Sequence, residues 1–214
     1  ARPYAAEALK CDEAELVFVD GIFSASGTNR SITIEDLVLR LVPDSGDHPF
    51  NIKHSYEPDG STYPYGCHIA EIEIDPATCD VNIMRYTVVD DFGAVINPLM
   101  LEGQIHGGIA QGIGQAIHEY AAFDEQGQLV AGSLMDYRLP RAADLPTFDI
   151  HFRSIPCKNN ILGVKGSGEA GAIGAPQAVI AAVTDALGIA HIDMPATPAA
   201  IWQALQNKRS GKVA

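Results

Sequence analysis

The sequence is poor in basic residues and in cysteine. Its 14 Lys and Arg residues stand against 27 Asp and Glu, which gives a formal net charge of −13. Because nucleic acids and anionic membranes are bound mainly through Lys and Arg, this balance argues against both as partners. The four cysteines show no C-x-x-C spacing, so no iron–sulfur or structural zinc motif is present. We expect reduced thiols, as in a cytoplasmic protein.

Long apolar runs and the common nucleotide motifs are also absent. No stretch of about 18 consecutive apolar residues predicts a membrane span. The spacing of a nucleoside-triphosphate loop and the strand-coupled G-x-G-x-x-G of a dinucleotide fold do not occur. Seven dispersed histidines form no metal-binding pattern, so we predict no metal ligand among the side chains. With 47% hydrophobic residues, the chain is nevertheless rich enough in apolar side chains to form a buried core.

A glycine-rich loop is the most informative feature that is present. Residues 163–174 contain five glycines and a single acid, Glu169. Glycine is tolerated mainly where φ must be positive or where the main chain lies against a ligand, so the pattern predicts an active-site loop. Pro176 predicts the first turn of an apolar helix directly afterwards. Glu169 is therefore expected to be poorly solvated and suited to proton transfer.

Three other interpretations of this loop remain open on residue types alone. The glycines could form a structural turn. Their amides could form an anion-binding nest beside Lys165. Glu169 could simply complement the dipole of the helix that follows it.

A second glycine-rich segment, from Leu99 to Glu119, predicts a long helix. Its apolar residues recur every four positions and form one ridge: Leu101, Ile105, Ile109, Ile113 and Ile117. Five glycines surround that ridge: Gly103, Gly107, Gly108, Gly112 and Gly114. In a helix each glycine costs about 0.8 to 1 kcal/mol relative to alanine, which indicates close backbone contact. Residue types favour packing against a neighbouring element, and room for a bulky cofactor is the alternative.

Alternating apolar and polar residues predict three strands. They lie at Cys67 to Asp75, at Val81 to Val89 and at Phe148 to Phe152. The first two are joined by a short turn, so we expect them to pair as a hairpin. Combined with the helices, these strands predict an α+β fold.

The domain organisation follows from a change of composition. Residues 43–66 are rich in Pro, Gly, Asp and Ser and show no periodicity. We therefore predict a small α+β segment at residues 1–50, containing a hairpin at Asp20-Gly21. A larger domain at residues 51–214 would end with a helix that starts at Thr197-Pro198.

Taken together, these motifs resemble a known enzyme family. Asn97-Pro98, the segment Gly103 to Ala116 and the loop Gly163 to Gly174 resemble the C-terminal part of the large subunit of molybdenum hydroxylases. This is the family of xanthine oxidase, aldehyde oxidoreductase and aerobic carbon monoxide dehydrogenase. Tyr65-Gly66 and Asp136-Tyr137 also occur in the family's order. The resemblance covers nearly the whole chain and favours cofactor contact over packing for both glycine-rich motifs.

The resemblance implies specific roles for the site residues. It implies a molybdopterin-binding C-terminal domain in which a mixed or antiparallel sheet packs against helices. Glu169 matches the glutamate of the family's K-G-x-G-E loop, which implies a base beside molybdenum. The remaining matches imply cofactor contacts for Gln104, which is similar to the glutamine at the pterin, and for Lys165, Gly166, Ser167 and Gly168.

The resemblance also implies partners that this sequence does not contain. Earlier segments of the molybdenum subunit would bind the pterin, in its simple or its cytosine dinucleotide form. Iron–sulfur clusters and FAD would lie on other segments or subunits. We expect this piece alone to be inactive. With them it would oxidise a small molecule: an aldehyde, an N-heterocycle or carbon monoxide. The alternatives are a non-catalytic folding and interaction domain and an unrelated anion-binding module.

Overall fold

The computed structural model describes residues 1–43 and 46–211. The chain divides into two compact units, Ala1–Glu57 and Pro58–Ala214. This division lies within the Pro- and Gly-rich stretch in which the sequence analysis places a boundary. All four cysteines are free thiols, of which only Cys79 is buried. The fold is α+β, as predicted.

The first unit contains a three-stranded antiparallel sheet and two helices. Its elements are α1 (Arg2–Leu9), β1 (Leu16–Val19), β2 (Ile22–Ala25), β3 (Ser31–Thr33) and α2 (Ile34–Arg40). The predicted hairpin is confirmed, because Asp20 and Gly21 connect β1 to β2 with φ values of 49° and 80°. Thr33 begins α2 by accepting the Asp36 N–H at 3.0 Å. Helix α1 was not predicted from the sequence.

The second unit is built on a three-stranded mixed sheet. Its elements are β4 (Tyr65–Ile74), β5 (Val81–Asp91), α3 (Pro98–Ile117), β6 (Phe148–Phe152), α4 (Ala170–Leu187) and α5 (Pro198–Arg209). Strands β4 and β5 form the predicted hairpin, and β6 pairs with β5 in parallel. The parallel pairing places the end of β5 next to the chain that leaves β6 and leads into the glycine-rich loop.

Helix α3 forms the centre of this unit. Asn97 caps it by accepting the Met100 N–H at 3.2 Å, and Pro98 occupies the first helical position. The predicted ridge is confirmed, since all five of its apolar residues are buried. They pack in one core with Tyr86 and Val88 of β5.

The backbones of α3 and α4 touch at glycine. A Cβ added to Gly108 would lie 2.9 Å from the amide nitrogen of Ala172, and one added to Gly171 would lie 2.6 Å from the carbonyl oxygen of Ile105. A Cβ on Gly112 would likewise lie 2.6 Å from a side-chain atom of α4. Even a methyl group would push the helices apart, so packing requires glycine at these three positions.

Helix α4 starts earlier than predicted. It begins at Ala170, so the expectation that Pro176 lies in its first turn is wrong, and Pro176 is buried inside the helix. Proline has no N–H to donate to the carbonyl of Ala172, four residues earlier. That carbonyl instead faces α3, 3.2 Å from the Cβ position of Gly112. By length and composition α4 could cross a membrane, but it packs against α3 and β4 as core helices do.

We predict opposite effects for alanine at two adjacent glycines of α3. Gly108→Ala should lower the free energy of unfolding by about 1 to 3 kcal/mol, because the new methyl group meets the α4 backbone. Gly107→Ala should raise it by up to about 1 kcal/mol, since no heavy atom of the described residues lies within 4 Å of its Cβ position. Urea unfolding followed by circular dichroism measures both. Equal effects at the two positions would contradict the backbone contact.

Candidate functional site

The glycine-rich loop is joined to the end of β5 by main-chain hydrogen bonds. The Lys165 N–H donates to the Phe92 carbonyl at 2.9 Å, and the Ala94 N–H donates to the Gly163 carbonyl at 2.8 Å. Gly93 and Gly163 have φ values of 66° and 69°, which favour glycine. A Cβ on Gly93 would also clash with the Gly163 carbonyl oxygen. The start of the loop is therefore fixed by backbone geometry.

A buried ion pair reinforces this attachment. Nζ of Lys165 lies 2.7 Å from Oδ2 of Asp91, and the two side chains are only 9% and 3% exposed. The same ammonium lies 4.5 Å from the centroid of the Tyr65 ring. The other carboxylate oxygen of Asp91 accepts the N–H groups of Gly93 at 2.8 Å and Ile155 at 2.9 Å. One carboxylate thus connects the end of β5, the chain after β6 and the loop.

The charge state of Asp91 is set by these partners. Burial by itself acts to raise the pKa of this carboxyl, but the hydrogen bonds from Lys165, Ile155, Gly93 and Tyr65 outweigh burial and hold the pKa well below its usual range. Asp91 is therefore ionised at neutral pH. On residue types alone Lys165 could belong to an anion nest, whereas the structure places its ammonium on Asp91.

Glu169 lies at the end of the loop, as the N-cap residue of α4. Its carbonyl accepts the N–H groups of Ala172 and Ile173 at 2.9 and 3.0 Å. Its side chain makes no cap hydrogen bond within the described helix and is exposed. The expected poor solvation of Glu169 is therefore not found in the described residues.

Gln104 connects α3 to the loop. Its side-chain amide donates to the carbonyl of Gly168, the residue before Glu169. At the other end of the loop, the Gly166 N–H donates to the Thr62 hydroxyl at 3.2 Å. In the described part of the chain, no heavy atom lies within 4 Å of the Cβ positions of Gly166 and Gly168. The main chain between these contacts is thus held in place and left open on one side.

A groove of about 350 Å³ lies beside the loop. Three of the predicted site residues line it, namely Gln104, Lys165 and Ser167, together with apolar side chains such as Met100 from the start of α3. Gly166, Gly168 and Glu169 lie on the adjoining loop but not in the groove lining. A larger groove of about 470 Å³, near the C-terminal end of α4, contains none of the predicted residues.

A second polar cluster lies beneath the first turns of α4, and sequence reasoning missed it. Nδ1 of His68 lies 2.7 Å from the Tyr86 hydroxyl, and its Nε2 lies 3.5 Å from Asp90. Burial, followed by the charge of Asp90, raises the pKa of Tyr86 above its usual value. Two glycines in the sequence could have pointed to this cluster, because they make room for it. A Cβ on Gly66 would clash with Asp90, and a Cβ on Gly174 would lie 2.8 Å from the His68 ring.

Comparison with known proteins decides the family. The family model described as the molybdopterin cofactor-binding domain matches residues 1–146. The chain belongs to this family. The predicted resemblance to the molybdenum hydroxylases is thereby confirmed. The matched residues include Gln104, and the glycine-rich loop follows them in the chain.

Individual relatives of this molybdopterin-binding domain agree. The chain is 34% identical over 213 residues to the carbon monoxide dehydrogenase large chain of Hydrogenophaga pseudoflava, covering 96% of this chain and 26% of the relative. It is 35% identical over 210 residues to the nicotine 6-hydroxylase large subunit of Paenarthrobacter nicotinovorans, covering 94% and 26%. The structure of quinoline 2-oxidoreductase from Pseudomonas putida 86 matches with a TM-score of 0.83 and 32% identity, covering 96% of this chain and 27% of that one. The chain thus spans about a quarter of these relatives.

The residues present fit a cofactor that is held by the main chain. The open faces of Gly166 and Gly168 leave the loop backbone accessible, and Gln104 and Ser167 add polar side chains beside it. Among residues 1–43 and 46–211, no group of three or more His, Cys, Asp and Glu side chains could hold a metal ion. The predicted site is therefore a surface of amides and one carboxylate.

We predict an acid-dependent loss of stability that depends on Asp91. Its folded-state pKa lies below the value of about 4 for an unfolded aspartate, so the ion pair stabilises the fold above about pH 4 and this contribution is lost as the pH falls further. Asp91→Asn should cost about 3 kcal/mol at pH 7 and should weaken the pH dependence between about pH 5 and pH 2. Urea unfolding over a pH series measures both effects.

The matched control for Asp91→Asn is Asp149→Asn. Asp149 pairs with Arg85 at 2.8 Å in the same sheet, but these side chains are 43% and 60% exposed. Exposed pairs contribute little, so this variant should behave like the wild type. An unchanged acid dependence in Asp91→Asn would contradict the assignment.

Proposed function

We propose that this chain forms part of the active site of a molybdenum hydroxylase, with Glu169 as the catalytic base. The observation that supports this most directly is the loop itself. Its main chain is attached to β5, to α3 and to α4, presents open glycines, and ends on an exposed carboxylate. Such a loop offers a proton acceptor beside main chain that no side chain of its own covers at Gly166 and Gly168.

The cofactor is molybdopterin, in its simple or its cytosine dinucleotide form. Gln104, Ser167 and the open faces of Gly166 and Gly168 would contact it. When bound, it supplies the two-electron redox chemistry of the reaction.

The residues of the chain contribute placement and proton transfer. Glu169 accepts a proton at its carboxylate from the oxygen nucleophile that attacks the substrate. The Glu169 side chain is exposed just before the first turn of α4. Gln104 fixes the Gly168 carbonyl and so sets the main-chain position from which Glu169 extends.

The substrate is a small molecule with an electrophilic C–H carbon, such as an aldehyde or an N-heterocycle, or it is carbon monoxide. The names of the relatives, which refer to carbon monoxide and nicotine, support this range. Iron–sulfur and flavin groups on partner segments or subunits would receive the electrons. We place the enzyme in the cytoplasm.

A purely structural role for the glycines is the second candidate. It is favoured at Gly108, Gly112 and Gly171, where a Cβ would clash with the facing helix. It does not account for Gly166 and Gly168, whose Cβ positions meet no heavy atom of the described residues within 4 Å. The two kinds of glycine therefore have different explanations.

We predict that Glu169→Gln removes activity and leaves the cofactor in place. Loss of a general base lowers turnover by about 10²- to 10⁴-fold, while the amide keeps the size of the side chain. Steady-state kinetics of the holoenzyme and elemental analysis of molybdenum measure the two quantities. The control is Glu125→Gln at an exposed turn, which should retain full turnover. Retained turnover in Glu169→Gln would exclude this residue as the base.

A further inference from the structure

We infer that Asp91 and Lys165 act together as positioning residues for the glycine-rich loop. In this arrangement the end of β5 determines where Glu169 stands, and the Lys165 ammonium does not bind the cofactor. The link to Glu169 rests on the proposed function, whereas the effect on the loop backbone does not.

Lys165 is attached to one place in the fold by both its main chain and its side chain. Its N–H bonds to the carbonyl of Phe92, and its ammonium bonds to the neighbouring Asp91. A residue that is held at two points on one strand end cannot rotate about a single hydrogen bond. The direction of the loop chain after Lys165 is therefore defined relative to the end of β5.

The ion pair of Asp91 with Lys165 is buried, unlike the other ion pair in the same sheet. The Asp91 and Lys165 side chains are 3% and 9% exposed, whereas the Asp149 and Arg85 pair in the same sheet is 43% and 60% exposed. Water can replace a partner in the exposed pair but not readily in the buried one. The Tyr65 ring further limits the position of the ammonium. Lys165 is thus engaged by protein groups rather than directed at a ligand.

Only a short stretch of chain separates Lys165 from Glu169. Gly166 bonds to Thr62 directly after the ion pair, and Gly168 bonds to Gln104 directly before Glu169. Ser167 alone lies between these attachments. If the first attachment is lost, Gly166 and Gly168 give the chain freedom to move, and the carboxylate moves with it.

The test uses the holoenzyme and its metal-free form, with variants Asp91→Asn, Lys165→Met and the double variant. The double variant leaves no unpaired buried charge, so it is the one expected to keep the fold. Hydrogen exchange of the amides at residues 166–169 reports loop order without depending on turnover. Molybdenum content, kcat and KM are measured in parallel, and Asp149→Asn is the control.

We expect amide exchange at residues 166–169 to rise at least tenfold in the double variant, in both forms of the protein, and to remain unchanged in Asp149→Asn. Each single variant should raise amide exchange to the same level as the double variant, so the two effects should not be additive. In the kinetics, kcat should fall by a larger factor than KM rises. Wild-type exchange in the double variant would overturn the inference. So would loss of molybdenum in Lys165→Met but not in Asp91→Asn, since that would show direct cofactor contact. Failure of the Glu169→Gln prediction would remove the proposed base but would not alter these exchange results.

Discussion

No side chain separates α3 from α4 where Gly108 faces Gly171, and the rest of the site is built on that contact. Because the first turn of α4 lies directly on α3, the residues just before α4 are brought beside the exposed face of the same helix. Gln104 stands there, one turn before Gly108, and reaches the carbonyl of Gly168. The glycines that seemed to weaken a long helix therefore make a close approach possible, and the approach fixes the loop.

The ion pair between Asp91 and Lys165 defines the other end of the loop. Burying two charges is costly, and a buried pair is weak evidence for stability by itself. Its role here is geometric, because one carboxylate accepts hydrogen bonds from Gly93, Ile155 and Lys165, which lie in three separate segments. In a chain with only 14 basic residues, one of them is used for this internal task.

The elements could be predicted from local pattern, but the site could be predicted only in part. The strand alternation and the ridge that includes Ile105 and Ile109 gave correct elements, because each depends on a single repeating burial pattern. The position of Pro176 could not be predicted, since a contact with α3 overrides the usual preference of proline for the first helical turn. Asp91 lies 74 positions from Lys165, and no local signal connects residues so far apart. No local signal connects His68 with Asp90 either, although the sequence contains Gly66, which faces Asp90 in the hairpin.

Helices α2 to α5 differ in how they start, while α1 starts after Ala1 without a side-chain cap. Helices α2, α3 and α5 begin with Thr33, Asn97 and Thr197, each of which accepts a backbone N–H from the first turn. At the corresponding position α4 has Glu169, whose side chain caps nothing in the described helix. A capping residue there would contribute about 1 kcal/mol, and this sequence forgoes it. The main chain here is held by the hydrogen bonds of the Glu169 carbonyl and by Gln104, while the Glu169 side chain is exposed. An uncapped, exposed carboxylate on a fixed main chain is compatible with the proton transfer that we propose for it.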